Sequence, residues 1–297
     1  MSANPLPGAA LGQAEAMMLP APDKGLVPFH RWPLAEGVAP RARLLFVHGR
    51  GEHGGRYEPV AAELAAHRIE CAAVDLPGFG RTVGGPVAPG RLRRFEEYHG
   101  PIEVALAHLV SLGGGLPTFV LGHSMGGLAA IRLLEERGEA LAKAHRVKGL
   151  ILSGPFLSMP KPLGAVKRLV VGLIAAVSPD KPLPSAGTPN SRDGARWKAY
   201  VNDPLTVKAA TARWLTEMLA HQPLALERAK RIPVPVLVLQ GGADTATEPA
   251  VSRRFAEACG GTYKEYAGFL HEVLNEPEAD RARVVADLVA WVEERLR

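Results

Sequence analysis

Ser124 sits in the stretch VLGHSMGG (120–127), where an apolar run stops at a small hydroxyl fenced by glycines. The pentapeptide GHSMG (122–126) fits the G-x-S-x-G pattern of a nucleophile carried on a sharp turn from strand to helix. Glycines allow the tight turn, and the helix that follows brings backbone N–H groups and the positive end of its dipole. A serine hydroxyl attacks only when a base takes its proton, and that base must be held in one tautomer. Of the ten histidines, His271 stands out, in GFLHEVLNEPE between the last strand pattern and the last helical one. Asp244 follows the end of the preceding buried strand, in LQGGADTAT. The order Ser124, Asp244, His271 is the one expected when three loops at one edge of a parallel sheet carry nucleophile, acid and base. The 27 positions from Asp244 to His271 leave room for one helix and one strand, which brings both loops to the same edge.

Acyl transfer also needs donors aimed at the oxygen that becomes negative. The Met125 N–H, directly after the serine, is one candidate. The Arg50 N–H, in the turn HGRG (48–51), is the other. Only the backbone of Arg50 is required for this, so its side chain is free for another purpose. His48 and His123 neighbour the site in sequence and read as hydrogen-bonded supports, since one base suffices. Asp75 also ends a buried strand, but DLPGFG reads as turn chemistry.

The elements that must position these residues alternate. Strand patterns fall at 25–34, 43–49, 69–76, 118–123, 147–155, 234–242 and 262–268, with helical patterns over 57–68, 91–112, 124–137, 248–259 and 276–296. Several of the strand patterns are continuous apolar runs, which mark strands buried on both faces. Alternation of this kind builds a mostly parallel sheet flanked by helices. The prolines of GLVPFHRWPL place that strand at a sheet edge. The rhythm breaks between Gly154 and Ile232, where a Pro-rich apolar segment (156–184) and further helical stretches read as a helical insertion over the sheet.

The 297 residues suit one such domain with an insertion, and the apolar share of 47% supplies a sizeable core. The net charge of +5 comes without an aromatic–basic stripe, which argues against nucleic acid as a partner. Two cysteines, Cys71 and Cys259, make no disulfide framework, and there is no clustered metal-ligand pattern. No apolar run reaches the ~20 residues of a membrane span. The N-terminus lacks a positive region before its apolar residues, so a loose tail in a cytoplasmic protein is expected.

The segments HGRGEHGGRYEPVAAEL (48–64), VDLPGFGRT (74–82), LGHSMGG (121–127), NDPLT (202–206), VPVLVLQGGAD (234–244) and HEVLNE (271–276) together resemble the monoacylglycerol lipase/lysophospholipase group of α/β-hydrolases. The likeness runs from about residue 25 to the C-terminus and weakens across 156–200. It implies an α/β-hydrolase fold with a helical cap inserted after the sixth strand. The divisions expected are a flexible tail over 1–24, a core over 25–154 and 231–297, and a cap over 155–230. It further implies a triad of Ser124, Asp244 and His271, oxyanion amides at Arg50 and Met125, and substrate contacts from Glu52, Arg56 and His123. The reaction implied is hydrolysis of a fatty acyl ester of glycerol or a glycerophosphate, with no cofactor and no metal. The partner expected is a lipid-like ester, with transient contact between an apolar cap helix (163–178) and a micelle or membrane surface. A short-chain carboxylesterase and a proline-type aminopeptidase are the competing enzymes. A peptidase would need cap carboxylates for the substrate amino group, and residues 156–200 offer only Asp180 and Asp193. A ligand receptor on the same scaffold is the reading from outside enzymology.

Overall fold

The computed structural model describes residues 10–22, 25–83, 88–161, 163–184 and 189–297. Eight strands form one sheet. They are β1 (Glu15–Pro20), β2 (Leu26–Trp32), β3 (Ala42–Val47), β4 (Ile69–Val74), β5 (Thr118–His123), β6 (Val147–Ser153), β9 (Val236–Gly241) and β10 (Thr262–Tyr266). Their spatial order is β1-β2-β4-β3-β5-β6-β9-β10, and all pairings are parallel except those made by β2. Every residue of β3, β4, β5 and β9 is buried, the outcome that their unbroken apolar runs call for.

Alternation along each strand splits the core in two. Leu45 and Val47 face the layer built by α2 (His99–Ser111), α3 (Met125–Ala144) and α7 (Pro249–Cys259). Leu44 and Phe46 face α1 (Glu58–Ala65) and α8 (Glu278–Glu294). The chain winds outward from β3 on both sides, to β4 and to β5. The crevice where such a sheet reverses direction lies at the carboxyl ends of its strands, beside β3 and β5.

Two expectations at the N-terminus need correction. Residues 15–20 of the expected tail form β1, which pairs with β2 from Glu15↔Arg31 to Pro20↔Leu26. Residues 1–9 and 23–24 lie outside the described residues. Because β1 takes the edge, β2 is internal. Its Pro28 is tolerated because the ladder to β4 covers only Phe29–Trp32, so no bond on that side needs a proline N–H.

Between β6 and β9 the chain leaves the sheet and builds α4 (Ala165–Val177), β7 (Pro182–Pro184), α5 (Gly194–Asn202), β8 (Ala209–Thr211) and α6 (Ala212–Glu227). The two short strands pair antiparallel as a separate ribbon, which the sequence pattern did not announce. Seams tie this insertion to the sheet: the Val207 N–H donates to the Gly51 carbonyl, and His53 donates from Nε2 to Asp203 Oδ2 at 2.8 Å. Among the described residues, no helix is long and apolar enough to cross a membrane.

Candidate active site

Ser124 stands between β5 and α3 with φ 48° and ψ −115°, a left-handed backbone that few L-residues adopt. Such strain survives only where the surroundings fix it. Here the fixing is steric. A Cβ on Gly126 would lie 2.2 Å from the Val47 carbonyl oxygen and 2.4 Å from that of His48, so only glycine lets α3 start this close to β3. The turn is held further by the Ser124 N–H donating to the Ser153 carbonyl, and by the Ser124 carbonyl accepting from Leu128 and Phe156.

His271 and Asp244 meet as their spacing anticipates. The His271 Nδ1–H donates to Asp244 Oδ2 at 2.8 Å, which leaves Nε2 as the basic nitrogen. The carboxylate is fully engaged. Oδ2 also accepts from Gln240 Nε2 and Thr247 Oγ1, both at 2.7 Å, and Oδ1 accepts from the amides of Ala246 and Thr247. Burial alone would raise the Asp244 carboxyl, but the His271 charge and these donors hold it down at about 2. Burial would lower His271, and the Asp244 charge and hydrogen bond outweigh it, so its pKa is raised. The ring rests against Gly154, where a Cβ would come 2.9 Å from Nδ1.

Ser124, Met125, Arg50, Glu52, His123, Asp244 and His271 all line one cavity of about 820 Å³. Aromatic and aliphatic side chains of the insertion, among them Phe156, Trp197, Tyr200, Trp214 and Leu215, form its other wall. The N–H groups of Arg50 and Met125 have no acceptor among the described residues, as donors kept for an oxyanion would require. Met125 itself is anchored through its sulfur, which accepts from Tyr98 Oη and Trp214 Nε1, both at 3.3 Å.

The supporting residues have defined tasks. Glu52 Oε1 accepts from the Gly49 N–H at 2.7 Å and from Tyr57 Oη, while Oε2 accepts from Arg56. Burial opposes its charge, yet His123, Arg56 and the Gly49 amide keep Glu52 well below the usual carboxylate range. The acid thus braces the turn that presents Arg50. His48 accepts the Leu76 N–H at Nε2, so its Nδ1–H donates to the Gly49 carbonyl and the ring is neutral. The His123 Nδ1–H donates to the Ser153 carbonyl, and its ring centre lies 4.8 Å from that of His271.

Arg56 departs from expectation. It lies behind Glu52 and Glu272, bonded to both and 4.8 Å above the Tyr200 ring, and it does not line the main cavity. Two carboxylates hold it back from the substrate space. Asp75 is occupied as a brace: its oxygens accept the Gly54 and Arg81 amides, with His30 at 3.3 Å. Although His30, His53 and Asp75 bring ligand-type atoms within 4.8 Å of one another, both His53 nitrogens are taken, Nδ1 by the Gly55 N–H and Nε2 by Asp203. Neither is left for an ion.

Gln240, Thr247 and Trp214 escaped the sequence reading. Gln240 had a usable signal, a lone amide in the otherwise apolar VPVLVLQGG. Trp214 had none, because it reaches the cavity from 90 positions beyond the serine.

Comparison with known proteins places the chain as a whole. The profile of the family described as serine aminopeptidase, S33, matches residues 38–278. The monoacylglycerol lipase of Mycolicibacterium smegmatis is 30% identical over 85% of this chain and 88% of its own. The human monoglyceride lipase is 30% identical over 86% and 84%, and the phospholipase YtpA of Bacillus subtilis 28% over 81% and 92%. Among solved structures, the monoacylglycerol lipase of Paleococcus ferrophilus superposes with a TM-score of 0.73 at 26% identity, covering 96% of this chain and all of the other. With a family profile spanning most of its length and relatives matched nearly end to end, the chain belongs to the serine aminopeptidase S33 family, in the monoacylglycerol lipase/lysophospholipase group of α/β-hydrolases.

Proposed function

We propose that the chain, a carboxylic ester hydrolase, removes the single fatty acyl group of a monoacylated glycerol lipid, with Ser124 as nucleophile, His271 as base and Asp244 as orienting acid. The observation that carries this reading is that a strained serine, a carboxylate-locked imidazole and two uncommitted amides open onto one cavity walled by aromatic and aliphatic side chains. His271 Nε2 takes the proton as Ser124 Oγ bonds to the ester carbon. The Arg50 and Met125 amides hold the resulting oxyanion. When the tetrahedral species collapses, the carbon–oxygen bond to the alcohol breaks and His271 returns the proton to that oxygen. Water then repeats both steps on the acyl-enzyme and frees the fatty acid. This chemistry calls for no cofactor.

Two further observations bear on the substrate. On α4, Val166, Leu169, Val170, Leu173 and Val177 are all exposed, with Lys167 and Arg168 beside them. A surface of that kind suits transient contact with a lipid interface, so peripheral membrane association is part of the proposal. An aminopeptidase needs a free carboxylate for the substrate's amino group. Asp180 pairs with Arg91, Asp193 caps α5, and Glu52 and Glu272 share Arg56, so none of these is spare.

The test is acyl release from a monoacylglycerol of long chain beside p-nitrophenyl butyrate, with fluorophosphonate labelling of Ser124 and Ser124→Ala as control. Faster turnover of the lipid, abolished in the variant, is expected. Turnover of the short ester alone would replace the lipase with a general carboxylesterase, and an unlabelled Ser124 would defeat the mechanism.

A further inference from the structure

Among the described residues, Arg50 carries a charge that has no counter-ion. Its guanidinium enters the cavity 5.8 Å from the centre of the Trp214 ring, and burial pulls its pKa down. Several buried or half-buried arginines are answered by acids: Arg43 by Glu70, Arg56 by Glu52 and Glu272, Arg132 by Glu135 and Glu136, Arg281 by Glu63. Half-buried Arg68, Arg196 and Arg228 also lack an ion pair among the described residues, but none of them lines the cavity that holds Ser124. Arg50 has no carboxylate or carbonyl partner among the described residues. The nearby acids are committed elsewhere, Glu52 to Arg56, Tyr57 and Gly49, and Glu272 to Arg56 and Asn275. The Trp214 face offers quadrupole attraction but no acceptor for the five N–H donors of the fork. The other cation on the cavity wall, Lys161, is exposed, so water already answers its charge.

A desolvated guanidinium without an anion is costly, and the cost is relieved when an anion binds. The same residue presents the proposed oxyanion amide, so its side chain starts beside the scissile carbonyl, where the glycerol part of the substrate must lie. A planar fork of N–H donors matches the oxygens of a phosphate.

We infer that the Arg50 side chain, unanswered among the described residues, receives the phosphate of the substrate's headgroup, making it the residue that selects lysophospholipids over neutral monoacylglycerols. This inference rests on the reading of Ser124 as the nucleophile for lipid esters. In the free protein, bulk inorganic phosphate offers the same chemistry, and the test separates the two sources.

The experiment measures kcat/KM for lysophosphatidylglycerol and for a monoacylglycerol of equal chain length in the wild type, Arg50→Gln and Arg50→Lys. The ratio of the two is the readout, because any disturbance of the oxyanion turn acts on both esters and cancels. Beside it, glycerol 3-phosphate and inorganic phosphate are tested as inhibitors of p-nitrophenyl butyrate hydrolysis. The expected result is a ratio that falls by ~10- to 100-fold in Arg50→Gln, as loss of charge-assisted hydrogen bonds implies, with partial recovery in Arg50→Lys. Competitive inhibition by glycerol 3-phosphate should weaken in parallel. An unchanged ratio overturns the inference, even if inorganic phosphate still inhibits, since that would describe a free-anion site alone. Should the wild type turn over neither lipid while Ser124 still labels, the lipase reading fails. Arg50-dependent inhibition by glycerol 3-phosphate would then still support a phosphate site, and its absence would remove one.

Discussion

At the scale of single residues, the site depends on how completely its charges are partnered. Asp244 accepts five hydrogen bonds, so it can neither rotate nor pick up a proton near neutrality, and its whole effect falls on the tautomer and charge of His271. In the proposed mechanism, activity requires neutral His271. Because Asp244 raises that imidazole above its ordinary 6.5, the acid limb of the kcat/KM profile should have its midpoint above 6.5, with activity rising as pH rises through it. Asp244→Asn removes the charge and offers an amide N–H toward Nδ1, which favours the wrong tautomer. The expected loss in kcat/KM is ~10³- to 10⁴-fold, by analogy with the same change in a serine protease triad. The surviving acid limb should move to lower pH. A pH–rate series on a p-nitrophenyl ester reads both effects, and an acid limb that stays in place would separate Asp244 from the base.

Elements explain why the residues meet. The loops after β3, β5, β9 and β10 open at one edge because the strands are parallel, and this much follows from alternating buried runs and helical periods. The insertion is different. Its elements are short, and α4 buries only Ala175 while five large apolar residues face outward. A helix patterned this way usually hides its apolar stripe, so its exposure here is what the proposed contact with a lipid interface calls for. Leu169→Asp with Leu173→Asp puts two charges on that stripe without touching the cavity wall. Co-sedimentation with phospholipid vesicles should fall by ~10-fold or more, given the ~1.5–3 kcal/mol that burial of each leucine contributes. Undiminished sedimentation would reassign α4 to an ordinary solvent-facing role.

For the molecule as a whole, what could be read from sequence was whatever depends on local order. Ser124, Asp244 and His271 were legible because each ends or follows a strand, and the topology fixes which edge they reach. β1 was not, since EAMMLP has neither turn signals nor a clear two-residue alternation and becomes a strand only against β2. The three-residue strands β7 and β8 carry too few side chains for a period to register. The insertion's attachment was hidden too, because it rests on pairs far apart in the chain. One of these is His53 with Asp203, 150 positions apart. Asp203 also accepts the Leu205 N–H, so one carboxylate both shapes the NDPLT turn and ties it to the loop that bears Arg50 and Glu52. Burial would raise the Asp203 carboxyl, but the His53 hydrogen bond and the Leu205 amide lower it. Its contribution to stability is therefore complete above the ordinary value of 3.8 and is lost as pH falls through the lowered one. Asp203→Ala should cost about 1.5–3 kcal/mol at neutral pH, the range for a hydrogen bond to a charged group, and lower Tm by several degrees. The gap in Tm between variant and wild type should narrow as pH drops below 3.8. Amide exchange should quicken first at 194–207, where the insertion loses its tie. Uniform exchange across the chain, with the gap unchanged in acid, would show instead that the insertion and the sheet open as one unit.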